Sequence, residues 1–527
     1  MKVFTVAEMV AAEKGADAGG VSYAQMMEAA GRGVAEAILV RRPVAGKQVL
    51  VLVGPGNNGG DGLVAGHYLA EAGADVTFYL FKGRDPAGDQ NFARIQHHFT
   101  LLADFDQRYR VLRLRLRTAG IILDALLGTG VARPISGNLA ALLRQVRAGL
   151  EERQQEVAAT PFLTNVADWQ RPAAPPQPLV VAVDCPSGLN CDSGDLDTLA
   201  IPAGLTVTFG GPKRGHFRFP GAAACGELVV ADIGLAPYAK NVTLELATAA
   251  TIASWLPTRP ADGHKGTFGK VLIAGGSANY WGAPILAGRA AYRAGAGVVA
   301  LAVPGRIRPV AVGQLPEATY PPLNDLDDLG EGAAEALLAD IGRYQAVLIG
   351  PGLGHAAGFV GRLLADRPLP PLVIDADGLN VLAEMGEWWR LVPAGTILTP
   401  HPAEMARLMG QPLADLKGQE RVALAKAKAA EWGCVILLKG AYTVIAAPDG
   451  RSMLLPFANP VLATAGSGDV LGGVIVALLG QGLESFRAAV VGGYWHGAAG
   501  VAAGRDTANA GLLASQLTDW LPKVRPQ

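Results

Sequence analysis

Short, unbroken runs of Val, Ile and Leu recur along the chain, separated by alanine-rich segments whose apolar positions fall at helical spacing. Runs without polar interruptions belong to strands covered on both faces, and strands separated by helices pair in parallel through crossover connections. The first half therefore predicts a helix from Tyr23 to Leu39 and strands from Gln48 to Val53, Val76 to Phe81, Ile121 to Asp124, Val180 to Asp184 and Thr206 to Phe209. The second half predicts strands from Val271 to Ala274, Val298 to Val303, Ala346 to Ile349, Leu372 to Asp375, Thr396 to Leu398 and Val435 to Leu438, and an apolar helix from Val474 to Leu479. Both halves are expected to be α/β. From Gly149 to Pro178 the pattern turns charged and then Pro-rich, which predicts an exposed insertion between a helix and the next strand. Pro237, Pro257 and Pro260 interrupt the periodicity again, so the expected boundary falls between about Leu235 and Ala261, with domains at 1–240 and 241–527.

Composition narrows the function. A chain of 527 residues is too long for one core. Lys plus Arg (45) balance Asp plus Glu (46), leaving no overall field to attract nucleic acid or an anionic membrane. Half the residues are hydrophobic, but Ala and Gly inflate that share, and no apolar run approaches the roughly 20 residues of a membrane helix. The expected partner is a small molecule. Cys185, Cys191, Cys225 and Cys434 form no CxxC pair, as expected of reduced thiols, and Glu8, Glu13, Lys14 and Asp17 break any secretory core near the start. A cytoplasmic protein is expected.

The chemistry-bearing residues gather at strand ends. In the first half, Gly54-Pro-Gly-Asn-Asn-Gly-Gly-Asp-Gly62 follows a strand and opens a helix, where backbone N–H groups can hold an anion. It contains GxGxxG, but the second strand leads to Lys82 and Arg84 where a dinucleotide site would carry an acid; those bases suit a 2′-phosphate better. Asp61 works against anion binding unless it has another task; the alternative is a Gly/Asn turn with Asp61 favouring the helix start. Asp124 and Asp184 close two further strands, followed by Gly128-Thr-Gly130 and Pro186-Ser187-Gly188. In a parallel sheet those ends converge on one crevice. Oxygens of Asn58, Asp124 and Ser187 could hold a hard cation there.

In the second half, Thr464-Ala-Gly-Ser-Gly-Asp-Val-Leu-Gly-Gly473 runs into an apolar helix. Glycines at a helix start expose N–H groups to a transferring phosphoryl, and Asp469 in the first turn can take a proton from an attacking hydroxyl. Lys439-Gly-Ala-Tyr-Thr443 places a cation and flexible backbone where a nucleotide phosphate could lie, although a lone lysine after a strand is usually solvated. Thr399-Pro-His-Pro-Ala-Glu404 offers an imidazole and a carboxylate; Glu404 either holds Mg²⁺ through water or serves the first turn of a helix from Glu404 to Met409. Gly350-Pro-Gly-Leu-Gly354 and Asp375-Ala-Asp377 end two more strands, and His496 is assigned a packing role.

These motifs resemble two families. From the N-terminal helix to Leu235, with Asn57-Asn-Gly-Gly-Asp-Gly62 its most specific string, the first half resembles the YjeF N-terminal family of NAD(P)H-hydrate epimerases. The resemblance implies a Rossmann-like three-layer α/β/α domain, K⁺ at Asn58, Asp124 and Ser187, and hydrate binding by Asn57, Asn58, Gly59, Gly60, Asp61, Gly128, Thr129, Gly130, Val131, Ala132, Arg133, Pro134 and Asp184, with Asp184 transferring the proton. From His264 onward, through GPGLG, DADGLN, TPHPAE and AGSGD, the second half resembles the ribokinase-like superfamily, and within it the YjeF C-terminal family of nucleotide-dependent NAD(P)H-hydrate dehydratases. Ala463 and His401 stand where sugar kinases of the superfamily usually have Asp and Asn, which favours the dehydratase. This second resemblance implies that Ala283, Gly352, His401 and Asp469 meet the hydrate and that Lys439, Gly440, Ala441, Tyr442, Thr443 and Gly468 meet an adenine nucleotide, taken as ADP with Mg²⁺. Together they imply a bifunctional repair enzyme acting on NADHX and NADPHX, expected to be a homo-oligomer. The rival readings are a small-molecule kinase in the second half and a non-catalytic nucleotide-binding module in the first.

Overall fold

The computed structural model describes residues 1–131, 133–158, 177–366, 368–416, 419–507 and 509–526. The chain divides into two compact units, Lys2–Thr243 and Leu244–Gln527, the second joined by Met1.

The first unit is built on a parallel sheet. Its strands are β1 (Gln48–Val53), β2 (Asp75–Leu80), β3 (Phe99–Leu102), β4 (Ile121–Ala125), β5 (Leu179–Val183), β6 (Leu205–Phe209) and β7 (Glu227–Ala231), in the order β3-β2-β1-β4-β5-β6-β7. Alternate residues of β1 enter different cores: Val49, Val51 and Val53 pack on one face, Leu50 and Leu52 on the other. This two-sided burial is why the strand is uniformly apolar. A Ser22/Gln25 capping box starts the helix Tyr23–Leu39, which packs on helix Asn57–Glu71 at Gly31, where a Cβ would run into Val64. The outer strands β3 and β7 are only partly buried, so they lack the apolar signature and the sequence pattern passes over them. The expected insertion is corrected at its start: helix Gly137–Ala158 continues through its first ten residues, 149–158. The stretch 159–176 lies outside the described residues.

The second unit holds β8 (Leu244–Leu246), β9 (Lys270–Ala274), β10 (Val298–Ala302), β11 (Ala346–Ile349), β12 (Leu372–Ile374), β13 (Ile397–Leu398), β14 (Val435–Leu438), β15 (Val444–Ala446) and β16 (Ser452–Leu454), ordered β10-β9-β11-β12-β13-β14-β15-β16-β8. From β10 to β14 the pairing is parallel, β15 runs antiparallel to both β14 and β16, and β16 pairs in parallel with β8. That departs from the all-parallel expectation for a simple reason. The connection 439–443 is too short for a crossover, so β14 and β15 form a hairpin. The apolar helix starts about two turns earlier than expected and spans Ser467–Gly480. It packs on helix Ala283–Arg293 at Gly473, where a Cβ would collide with the Ala287 carbonyl oxygen. No helix among the described residues is long and apolar enough to cross a membrane.

Candidate active sites

In the first sheet the strand order reverses between β1 and β4, which opens a crevice at their C-terminal ends. A cavity of about 800 Å³ lies there, lined by Asn57, Asn58, Asp61, Gly128, Thr129, Gly130, Val131, Arg133, Pro134 and Asp184. Gly59 and Gly60 are not in its lining: Gly59 abuts the Gly54 carbonyl and Arg84, and Gly60 abuts Met27. Ala132 lies outside the described residues. Arg84 is not free to meet a 2′-phosphate, because its guanidinium donates to the carbonyls of Gly54 and Gly56 and pairs with Asp89. It braces the glycine loop.

Asn58, Asp124 and Ser187 come together below this loop. Ser187 donates to Asp124 through its hydroxyl (2.6 Å) and its N–H (2.8 Å), and Leu127 N–H donates to the Ser187 hydroxyl at 2.9 Å. Asn58 Nδ2 donates to the Leu127 carbonyl, while its Oδ1 is buried with no partner. Burial raises the Asp124 carboxyl, against its hydrogen bonds from Ser187 and Leu126. A buried carbonyl oxygen without a donor, beside a desolvated carboxyl, is a place where a cation fits.

Asp184 follows β5 with φ 63°, a left-handed conformation that Asp tolerates better than most residues. Its Oδ1 accepts from Lys213 Nζ (2.5 Å), Thr208 Oγ1 (2.9 Å) and Phe209 N–H (3.3 Å). Burial pushes the carboxyl up, but the charge and hydrogen bond of Lys213 outweigh it and hold Asp184 below the usual range. Lys213 is 1% exposed. Sequence reasoning missed it, though Gly210-Gly-Pro-Lys213 directly after β6 repeats the punctuation that marks the other strand ends. Asp61 is the reverse case: burial, then the charges of Asp184 and Glu13, push its carboxyl well above the ordinary range.

In the second unit, Gly466 adopts φ 86° as the N-cap of helix Ser467–Gly480. Asp469 sits in the first turn, where backbone N–H groups lack intrahelical acceptors. It makes no hydrogen bond among the described residues. Burial, then the charge of Asp375, push its carboxyl up to about 7 against the pull of Lys439. Lys439 is not solvated: Nζ meets Asp375 Oδ1 at 2.7 Å and Glu404 Oε2 at 3.5 Å. Burial opposes its charge, but the two carboxylates outweigh it and raise its pKa. Glu404 accepts the His401 N–H at 2.7 Å in a capping box that starts helix Pro402–Leu408, so the first-turn role is present alongside the lysine contact. His401 Nδ1 accepts from the N–H groups of Ala403 (3.1 Å) and Glu404 (3.3 Å), which leaves the proton of a neutral ring on Nε2, 3.3 Å from Glu404 Oε1. Burial and Lys439 lower its pKa in keeping with that.

The remaining sequence-selected positions flank this centre. Gly352, at φ 60°, backs onto Ala283: a Cβ would stand 3.0 Å from that of Ala283 and closer still to Tyr280. Beside them a cavity of about 1040 Å³ is lined by Ser277, Tyr280, Gly354, Asp377, Asn380 and Arg407, among others. The hairpin loop 439–443 is braced by Arg421, which donates to the carbonyls of Leu438, Lys439 and Ala441. Tyr442 and Asn459 line a cleft of about 420 Å³ next to it. His496 does more than pack: buried, with its pKa lowered to about 4 chiefly by burial, it donates from Nε2 to the Ser467 carbonyl at 2.9 Å and fixes the helix start. Nothing around His496 in the sequence hints at that contact, which joins residues 29 apart.

Two α/β units, each with an acid beside a glycine-rich helix start at the C-terminal edge of its sheet, define a two-domain enzyme. Residues 271–523 match the family described as NAD(P)H-hydrate dehydratase, and residues 23–215 match the YjeF-related protein N-terminus. The bifunctional NAD(P)H-hydrate repair enzyme Nnr of Moorella thermoacetica is 38% identical over 514 residues, covering 95% of this chain and 92% of that protein. Its counterpart in Thermofilum pendens is 35% identical, covering 99% and 96%. The solved ADP/ATP-dependent NAD(P)H-hydrate dehydratase of Bacillus subtilis is 36% identical, covering 53% of this chain and 97% of its own, with a TM-score of 0.47. The chain belongs to the family of bifunctional NAD(P)H-hydrate repair enzymes.

Proposed function

We propose that the domain 1–240 interconverts the R and S epimers of hydrated NADH and NADPH, and that the domain 241–527 dehydrates the S form at the expense of ADP, giving AMP and phosphate. The observation that carries the reading is the position of Asp469: an unpartnered acid titrating near neutrality, in the first turn of a helix whose glycine-rich start can cradle a phosphoryl group. Asp469 takes the proton of the ring hydroxyl as its oxygen attacks the terminal phosphoryl of ADP. The N–H groups from Gly466 to Gly468 stabilise the charge that develops, and AMP departs. The ring nitrogen then expels phosphate, and loss of a proton from the neighbouring carbon re-forms the dihydronicotinamide. Ala283, Gly352 and His401 line the hydrate's side of this centre; Lys439, Gly440, Ala441, Tyr442, Thr443 and Gly468 line the nucleotide's. Mg²⁺ would enter with the nucleotide and neutralise phosphate charge; Glu404 would hold it through water, with Asp375 the other carboxylate on Lys439.

In the first domain, Asp184 is the base that moves the hydroxyl proton, with the hydrate held by Asn57, Asn58 and Asp61 and by the loop from Gly128 to Pro134. K⁺ would be held by Asn58 Oδ1, Asp124 and Ser187, and would supply fixed positive charge beneath the loop. The test is incubation of the mixed epimers with ADP or ATP, following each epimer chromatographically and dihydronicotinamide by absorbance. Both epimers should disappear with matching release of phosphate. A stable phosphorylated hydrate would mean a kinase instead, and an R epimer left untouched would mean that the first domain is not an epimerase.

A further inference from the structure

Glu13 lies on helix Val6–Ala18, ahead of the first strand and apart from every glycine-rich strand end, yet it lines the same cavity as Asp61 and Asp184. Among the described residues, neither the Glu13 nor the Asp61 carboxyl has a hydrogen-bond or ion-pair partner, although Asp61 is only 9% exposed. Asp184, by contrast, is tied to Lys213 and Thr208. Burial raises the Glu13 carboxyl, Lys213 opposes this and Asp184 adds to it. The cavity thus combines one anchored carboxylate with two unpartnered carboxyls that favour holding protons.

Epimer exchange needs both. The carbon that inverts bears a hydroxyl and the ring nitrogen, so opening the ring requires a base for the hydroxyl and an acid for the departing nitrogen. Resting on the epimerase reading of this cavity, we propose that Glu13 is the catalytic acid of the first domain. As Asp184 takes the hydroxyl proton, the C=O bond forms, the C–N bond breaks with its electron pair going to nitrogen, and Glu13 protonates that nitrogen. The open-chain aldehyde rotates and nitrogen attacks its other face. The N–H proton returns to Glu13 and the oxygen regains its proton from Asp184, so nothing is oxidised or consumed.

The test uses the full chain with Glu13→Gln and Glu13→Ala, assayed for R-to-S exchange without nucleotide. Thermal unfolding and hydrate binding serve as checks on folding. Glu13→Gln should slow kcat by roughly 100-fold or more with KM within about threefold of the parent, and formate should restore Glu13→Ala at least about tenfold with saturation. Exchange by Glu13→Gln within about threefold of the parent overturns the proposal, as does a loss confined to KM or a Glu13→Ala variant deaf to formate. If Glu13→Gln does not fold, Glu13→Asp, which keeps the carboxyl, must retain more exchange than Glu13→Ala, and equal rates overturn it. If the parent chain shows no exchange at all, it is the epimerase reading that falls.

Discussion

Asp184 is buried and Asp469 half-buried, both beside glycine-rich backbone, and each has a lysine close by that is largely withdrawn from solvent. They differ in what that lysine touches. Lys213 donates directly to Asp184 and holds it ionised despite burial. Lys439 bonds Asp375 and approaches Glu404, so Asp469 is left without a donor and rises to about 7. Burial pushes both carboxyls up, and a direct hydrogen bond from a lysine is what reverses the shift at Asp184 and not at Asp469. The first site therefore holds a carboxylate that rests ionised and can accept a proton, and the second an acid poised to take up and release one near neutral pH.

The largest expected effect would break the comparison at the chemistry. Asp469→Asn should slow dehydration by about 10³-fold or more while epimer exchange continues, and Asp184→Ala should do the reverse. Chromatography of both epimers reads this out, and loss of both activities in either folded variant would defeat the two-site picture. Next, Lys213→Met leaves Asp184 buried without its cation and should cost about 3–5 kcal/mol, seen as a lower urea midpoint for the first unit. Asp469→Asn should act in the opposite sense on stability. An acid raised from 3.8 to about 7 by folding is stabilising only while protonated, so stability is lost as pH rises across that window. At about pH 8 the Asn variant should be more stable by roughly 2–4 kcal/mol, and the parent's dehydration rate should fall as pH drops below about 7. The smallest effect sharpens the same region: His496→Leu removes the donor to Ser467 and should cost about 1–2 kcal/mol with epimer exchange unchanged. Because folding lowers the His496 pKa to about 4, its stabilising contribution is complete above about 6.5 and is lost as pH falls toward 4, which urea titrations at several pH values would show.

The parts legible in the sequence were those with a local signature. Strands buried on both faces, such as β1, β11 and β14, stand out as apolar runs, and the loops that follow them announce themselves through glycine, proline and acid. Edge strands β3 and β7 were hidden because partial exposure mixes polar residues into them. The antiparallel turn at 439–443 was legible only as a short spacer, not as a change of direction. Partners distant in sequence were legible only where both lie at converging strand ends, as Asp124 and Ser187 do. Lys213 meets Asp184 across 29 positions, His496 meets Ser467 across 29, and Lys439 meets Asp375 across 64. Glu13 served only as a charge that interrupts an N-terminal apolar run, since nothing in its sequence neighbourhood points toward the cavity it lines with Asp61 and Asp184.

The left-handed backbone at Asp184 also bears on how this chain can change over evolutionary time. At φ 63° the residues that fit with little strain are Asp, Asn and Gly, and each of the latter two is a single-base change from an Asp codon. The mutations most readily reached at this position are therefore those that keep the local backbone while removing the carboxylate. Either change also strips buried Lys213 of its counter-ion, so the first reaction cannot be lost here without destabilising the first domain: the lysine guards a carboxylate that the backbone alone would let go.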